Sequence, residues 1–212
     1  MRAMQRRIGV MGGTFDPIHH GHLVAASEVC HRFALDLMLF SPTGQPWHKD
    51  ATPGAQAEDR YLMTVLATSA DPRFDVTRVD IERGGPTYTR DTLRDLRAQT
   101  HQWAAISGEE IDWYFVTGAD AIATIGSWQE PAAIVEQAHL VAVSRPGHSF
   151  VEPPLPAGSW SWVEIPALAI SSTDIRNRVA RGEPIDYLVP HAVAQFIAKR
   201  GLYCDQPGKG AA

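Results

Sequence analysis

Residues 7–22 read RIGVMGGTFDPIHHGH, and this stretch decides the fold. Residues 7–11 (RIGVM) form a short apolar run of strand length, and Gly12-Gly13 ends it. Glycine at that point lets the backbone come close to a ligand and adopt positive φ. Asp16-Pro17 is a turn signal. From Gly21 onward, Leu23, Ala26, Ser27 and Cys30 follow a helical period, which predicts a helix over 21–33. A buried strand that passes through glycines into a helix opens a βα unit.

Working outward, the pattern repeats. Residues 35–40 (LDLMLF) read as a second buried strand that Ser41-Pro42 breaks, and residues 42–57 read as a loop. Helical patterns cover 60–70, 89–99 (with Leu93 and Leu96 on one side), 131–137, 171–182 and 189–200. Strand patterns cover 74–81, 113–116, 139–144 and 160–165, and a Pro/Gly-rich loop spans 145–159. Pro190 near the start and Gly201 past the end of the last helix fit the usual asymmetry of helix termini. This alternation predicts an α/β fold: a Rossmann-like, doubly wound parallel sheet with a C-terminal helical portion over about 170–203, and ligands at the carboxyl ends of the strands. One domain over residues 1–204 is expected, with a disordered tail at 205–212.

Composition narrows the partners. The chain has 212 residues and a net charge of -5, and its 19 lysines and arginines are scattered. That argues against a nucleic-acid polymer and leaves room for a local phosphate pocket. No apolar run approaches the roughly 18 residues of a membrane span, and the N-terminal segment is too short and glycine-rich for a signal peptide. A cytoplasmic protein with no membrane partner is expected; a homo-oligomer is left open. Cys30 lies in an apolar helical stretch and reads as a core residue, Cys204 lies near the polar end, and no disulfide between them is expected.

Two segments carry chemistry. In the first, the helix begins at about Gly21, so His22 sits in its first turn, where free N–H groups and the dipole favour an anion. Two imidazoles three residues apart, His19 and His22, can both point into that site and donate to phosphate oxygens. His19, His20 and His22 cannot easily all face one metal ion and no cysteine joins them, so no protein metal site is read here. The pattern is neither GxxxxGK[ST] nor GxGxxG. In the second segment, residues 170–176 (ISSTDIR), Ser171 and Asp174 have capping-box spacing, so another helix starts. Ser171, Ser172 and Thr173 hydroxyls with Arg176 one turn in make a second anion site.

GTFDPIHHGH resembles the HxGH signature of the nucleotidylyltransferase superfamily, with His19 and His22 as its histidines and Thr14 as its upstream hydroxyl. ISSTDIR resembles that superfamily's ISSTxIR motif, which holds the β- and γ-phosphates of ATP. Residues 86–93 (PTYTRDTL) resemble the PSYTxDTL segment of bacterial nicotinate-mononucleotide adenylyltransferases. TGAD at 117–120, Trp128, His48-Lys49 and residues 188–203 resemble further segments of that family, so the likeness runs over residues 7–203. It implies transfer of AMP from ATP to nicotinate mononucleotide, giving nicotinate adenine dinucleotide and pyrophosphate in NAD biosynthesis. His19, His22 and Arg176 would be catalytic. Gly12, Gly13, Thr14, Phe15, Ser171, Ser172 and Thr173 would join them around ATP. Lys49, Thr87, Tyr88, Gly118, Asp120, Trp128 and Arg145 would hold the acceptor, with Asp120 on ribose hydroxyls and Trp128 stacked on the pyridine. Mg²⁺ would be bound through the ATP phosphates. Two departures stand out: Trp47 in GQPWHK replaces a proline found in many relatives, and Arg83-Gly84-Gly85 precedes Pro86. Nicotinamide mononucleotide or phosphopantetheine as acceptor, and a non-catalytic nucleotide-binding regulator, remain the alternatives.

Overall fold

A computed structural model describes residues 5–46, 54–107, 109–145, 147, 151–166 and 168–204. The elements in order are β1 (Gln5–Gly13), α1 (His20–Phe33), β2 (Leu37–Pro42), β3 (Gln45–Pro46), α2 (Ala57–Thr68), β4 (Phe74–Val76), α3 (Val79–Arg83), β5 (Pro86–Thr87) and α4 (Thr89–Ser107). They continue with β6 (Glu110–Gly118), α5 (Ala119–Ala123), a 3₁₀ turn (Ile125–Ser127), α6 (Pro131–Val135), β7 (His139–Ser144), β8 (Trp160–Glu164), α7 (Ser172–Ala180) and α8 (His191–Arg200).

The six-stranded sheet runs β4-β2-β1-β6-β7-β8, and every neighbouring pair is parallel. With the small β3–β5 pair set aside, its strands lie in the order 3-2-1-4-5-6 of a doubly wound sheet, as the alternating pattern predicts. The order reverses between β1 and β6, and open sheets of this kind bind ligands beyond the strand ends at that switch point. Gly12 and Gly13 lie at the carboxyl end of β1, and Thr117 and Gly118 at that of β6. Both sheet faces are covered. One carries a core with Val29, Met38, Met63, Val116 and Val193. The other carries Leu93, Leu96, Trp113, Ile122 and Leu140. Cys30 is a buried core residue, as read from the sequence. No helix among the described residues is long and apolar enough to cross a membrane.

Two expectations change. The strand predicted over 74–81 ends at Val76, and Val79–Arg83 is a short helix. The alternation there has a different cause: Asp80 turns inward, where Ser41 and Thr92 hydroxyls donate to its carboxylate at 2.7 Å each. Ser41-Pro42 does not break β2 but continues it, paired with Gly12-Gly13. In α2 the polar side is the buried one: Asp59, Arg60, Thr64 and Thr68 are buried with Met63, while Leu62, Val65 and Leu66 are each 36% exposed.

Candidate active site

Two cavities flank the carboxyl end of β1. The first, about 380 Å³, is walled by Gly12, Gly13, Phe15, His19, Gly21, His22, Ser171 and Ser172, by Gly118, Asp120 and Arg145, and by the apolar side chains of Ile165, Leu168 and Ile170. The second, about 370 Å³, is walled by Thr14, Ser41, Thr43, Asp80, Thr87, Thr92, Phe115 and Trp128. Gly12, Gly13 and Thr117 belong to both walls, so ligands in the two would meet above these residues.

The loop from β1 to α1 is built by close approach. Gly12 and Gly13 stay in the extended strand, so the expected need for positive φ does not arise there. What Gly13 supplies is room, since a Cβ on it would stand 3.0 Å from the Phe15 ring. The positive φ falls on Phe15, at 50°. A non-glycine residue in that region costs roughly 1–2 kcal/mol. In return the Phe15 ring is buried, edge-on to His22 at 5.1 Å and tilted against Phe40.

His19 caps α1 in an extended conformation, and its main-chain N–H donates to His22 Nδ1 at 3.2 Å. A neutral His22 that accepts at Nδ1 carries its proton on Nε2, so Nε2–H is the ring's donor. The two rings stack 3.8 Å apart. Gly21 permits this, because a Cβ there would lie 3.0 Å from the His19 ring. Burial, then the positive charge of Arg145, lowers the His19 pKa to about 4. Burial, then His19, holds His22 well below its ordinary value. Both rings are therefore neutral at pH 7. The unfolded chain protonates these histidines near pH 6.5 and the folded protein does not, so stability falls as pH drops from about 6.5 toward 4. His19 accounts for about 3 kcal/mol across that window. Thermal unfolding followed against pH checks this: His19→Asn should flatten the acid slope, and an unchanged slope would mean His19 titrates normally.

The second segment is placed as expected in part. Ser171 caps α7, its Oγ accepting the Asp174 N–H at 3.1 Å, and Ser172 Oγ donates to the Pro17 carbonyl at 2.9 Å. The starts of α1 and α7 thus face one cavity. Arg176 lies outside both walls. Its Nη1 donates to the Asp16 carbonyl at 2.7 Å and its Nη2 to Thr173 Oγ1 at 3.2 Å. Tyr88 and Thr173 also lie outside the walls. Gly118, Asp120 and Arg145, read as acceptor residues, line the histidine cavity, while Thr87 and Trp128 line the other. Trp128 stands edge-on to Phe115 at 6.3 Å. Trp47, His48 and Lys49 lie outside the described residues.

Four residues supporting the site were not singled out from the sequence. Asp16, 4% exposed, accepts from the Gly54 and Ala55 N–H groups at 2.7 and 3.1 Å and from the Tyr203 hydroxyl at 2.7 Å. Burial, then the Asp16 carboxylate, pushes the Tyr203 pKa up. Asp80 forms the floor of the tryptophan cavity, with Arg83 as a further partner. Arg60 is buried and donates to the Thr14, Gly44 and Ala55 carbonyls. Of these, only Asp16 had a local signal, its turn with Pro17.

The family model described as cytidylyltransferase-like matches residues 10–178. A probable nicotinate-nucleotide adenylyltransferase from Salinispora arenicola is 59% identical over 91% of this chain and 99% of its own length. The chain belongs to the nicotinate-nucleotide adenylyltransferase family. A relative of the same description from Acidothermus cellulolyticus is 58% identical over 96% of this chain and 97% of its own. Among solved structures, nicotinic acid mononucleotide adenylyltransferase of Plasmodium falciparum complexed with NaAD is similar in fold, with a TM-score of 0.73 at 19% identity over 93% of this chain and 97% of that one. The two motif segments, joined by the hydrogen bond from Ser172 to Pro17 across 155 residues of sequence, form one wall of the histidine cavity.

Proposed function

We propose that this protein transfers AMP from ATP to nicotinate mononucleotide, with ATP in the histidine cavity and the acceptor in the tryptophan cavity. The observation that carries the reading is the pair of cavities meeting over Gly12 and Gly13 at the switch point. A phosphate oxygen of the acceptor attacks the α-phosphorus in line, a P–O bond forms, the bond to the β-phosphate oxygen breaks, and pyrophosphate leaves. Catalysis is positioning and charge stabilisation, without a covalent enzyme intermediate. His22 Nε2–H and the His19 ring donate to α-phosphate oxygens as charge builds. The N-termini of α1 and α7 receive the remaining phosphates. Arg176 and Lys49 supply positive charge around them, Arg176 after its guanidinium turns from Asp16.

Mg²⁺ fits as a passenger on ATP. Asp120 is the single carboxylate in the wall of the histidine cavity, and the described residues hold no group of three metal-ligating side chains. When bound it neutralises phosphate charge. A cytoplasmic location belongs to the same reading.

Pyrophosphate release from ATP and Mg²⁺, compared with nicotinate mononucleotide and nicotinamide mononucleotide, tests it. Release with the acid is expected; release with neither overturns the acceptor. The cavity assignment has its own test. Trp128→Ala should raise KM for nicotinate mononucleotide about tenfold through lost aromatic contact, with KM for ATP unchanged. A rise in the ATP KM alone would reverse the assignment.

A further inference from the structure

Among the described residues Arg60 is the largest fully buried side chain, 1% exposed, and it is a cation. Its direct partners are neutral oxygens. Nε donates to the Ala55 carbonyl at 3.3 Å and Nη2 to the Gly44 carbonyl at 3.0 Å. Nη1 donates to the Thr14 carbonyl at 2.7 Å and to Thr43 Oγ1 at 3.4 Å. One guanidinium therefore ties together three segments distant in sequence: the loop after β1, the turn after β2 and the start of α2.

Two of those anchors, Thr14 and Thr43, are wall residues of the tryptophan cavity and not of the histidine cavity. The third, Gly44, donates its N–H to Thr87 Oγ1 at 3.1 Å, which sets a further wall residue. Gly44 itself has no slack, since a Cβ there would stand 2.5 Å from the Asp80 carbonyl. An apolar side chain of similar length would leave the Thr14, Gly44 and Ala55 carbonyls without this donor. A planar fork with five fixed donors, by contrast, holds several carbonyls at set distances, which neither an apolar chain nor a lysine does.

We propose that Arg60 is a positioning residue that sets the shape of the acceptor cavity and hence affinity for the acceptor, while leaving the ATP side alone. This rests on the cavity assignment above. The test is steady-state kinetics with each substrate varied in turn, for Arg60→Met, which keeps the stem, and Arg60→Lys, which keeps the charge and loses the fork. In Arg60→Met the KM for nicotinate mononucleotide should rise about tenfold or more, as expected when binding groups shift by a fraction of an ångström to an ångström. Arg60→Lys should fall between it and the parent, and the ATP KM should stay within about twofold in both. If Arg60→Met does not fold, calorimetric binding of each substrate to Arg60→Lys in the cold gives the same comparison. Equal movement of both constants, or of neither, overturns the proposal. A rise for ATP alone while Trp128→Ala still raises only the acceptor KM also overturns it and leaves the cavity assignment standing. If Trp128→Ala raises only the ATP KM as well, the cavity assignment itself has failed.

Discussion

His22→Ala lowers kcat at least a hundredfold while the protein still folds. The expectation follows from one hydrogen bond and its consequence. His22 Nδ1 is occupied by the His19 main-chain N–H, so the neutral ring directs a single Nε2–H donor. That donor is held by Phe15 on its edge and His19 on its face, so it needs no reorganisation during reaction. Removing one such preorganised donor from a developing phosphate charge costs about 10²–10³ in kcat. The ATP KM should change less, because the α1 and α7 N-termini still receive phosphate. His22→Gln should recover little, since its amide does not reproduce the ring's fixed geometry. Single-turnover rates of AMP transfer measure the effect; near-parental turnover in His22→Ala would remove His22 from the reaction.

Asp16→Ala destabilises the protein by about 3–5 kcal/mol, lowering the melting temperature by roughly 10 °C for a chain of this size. The carboxylate is buried and receives three donors: two main-chain N–H groups from residues 54 and 55 and the Tyr203 hydroxyl. Alanine leaves all three without a partner, and each buried orphan costs roughly 1–3 kcal/mol. Asp16→Asn keeps the volume but sets an NH₂ against a donor, so it should fall between. Calorimetric unfolding distinguishes these outcomes. An Asp16→Ala variant melting within about 2 °C of the parent would mean that the donors find other acceptors.

The two predictions belong to different levels of the molecule, and the sequence reached only the first. His22 was found because strand, glycines, histidines and helix start follow each other within sixteen residues. The Ser171 cap was found for the same reason: its partner is the Asp174 N–H three residues on. Arg60 had no such mark. The helical pattern of α2 favours Leu62, Val65 and Leu66 as its inner face, yet the chain buries the opposite side because the loops at 14, 43–44 and 55 need donors there. The strand expected over 74–81 failed likewise, because Asp80 turns inward for hydroxyls on β2 and α4.

What this sequence determined by itself was the alternation of the main strands and helices and the starts of α1 and α7, since periodicity, caps and turns are interactions within about four residues of one another, while the family of reaction was legible only through the resemblance of its motifs. The tertiary structure alone decided which cavity each residue faces, that Arg176 donates to the Asp16 carbonyl, and that Tyr203 closes on a carboxylate 187 residues away. Those contacts depend on which segments the sheet order brings together, and a buried polar atom then takes whatever partner stands within hydrogen-bond reach.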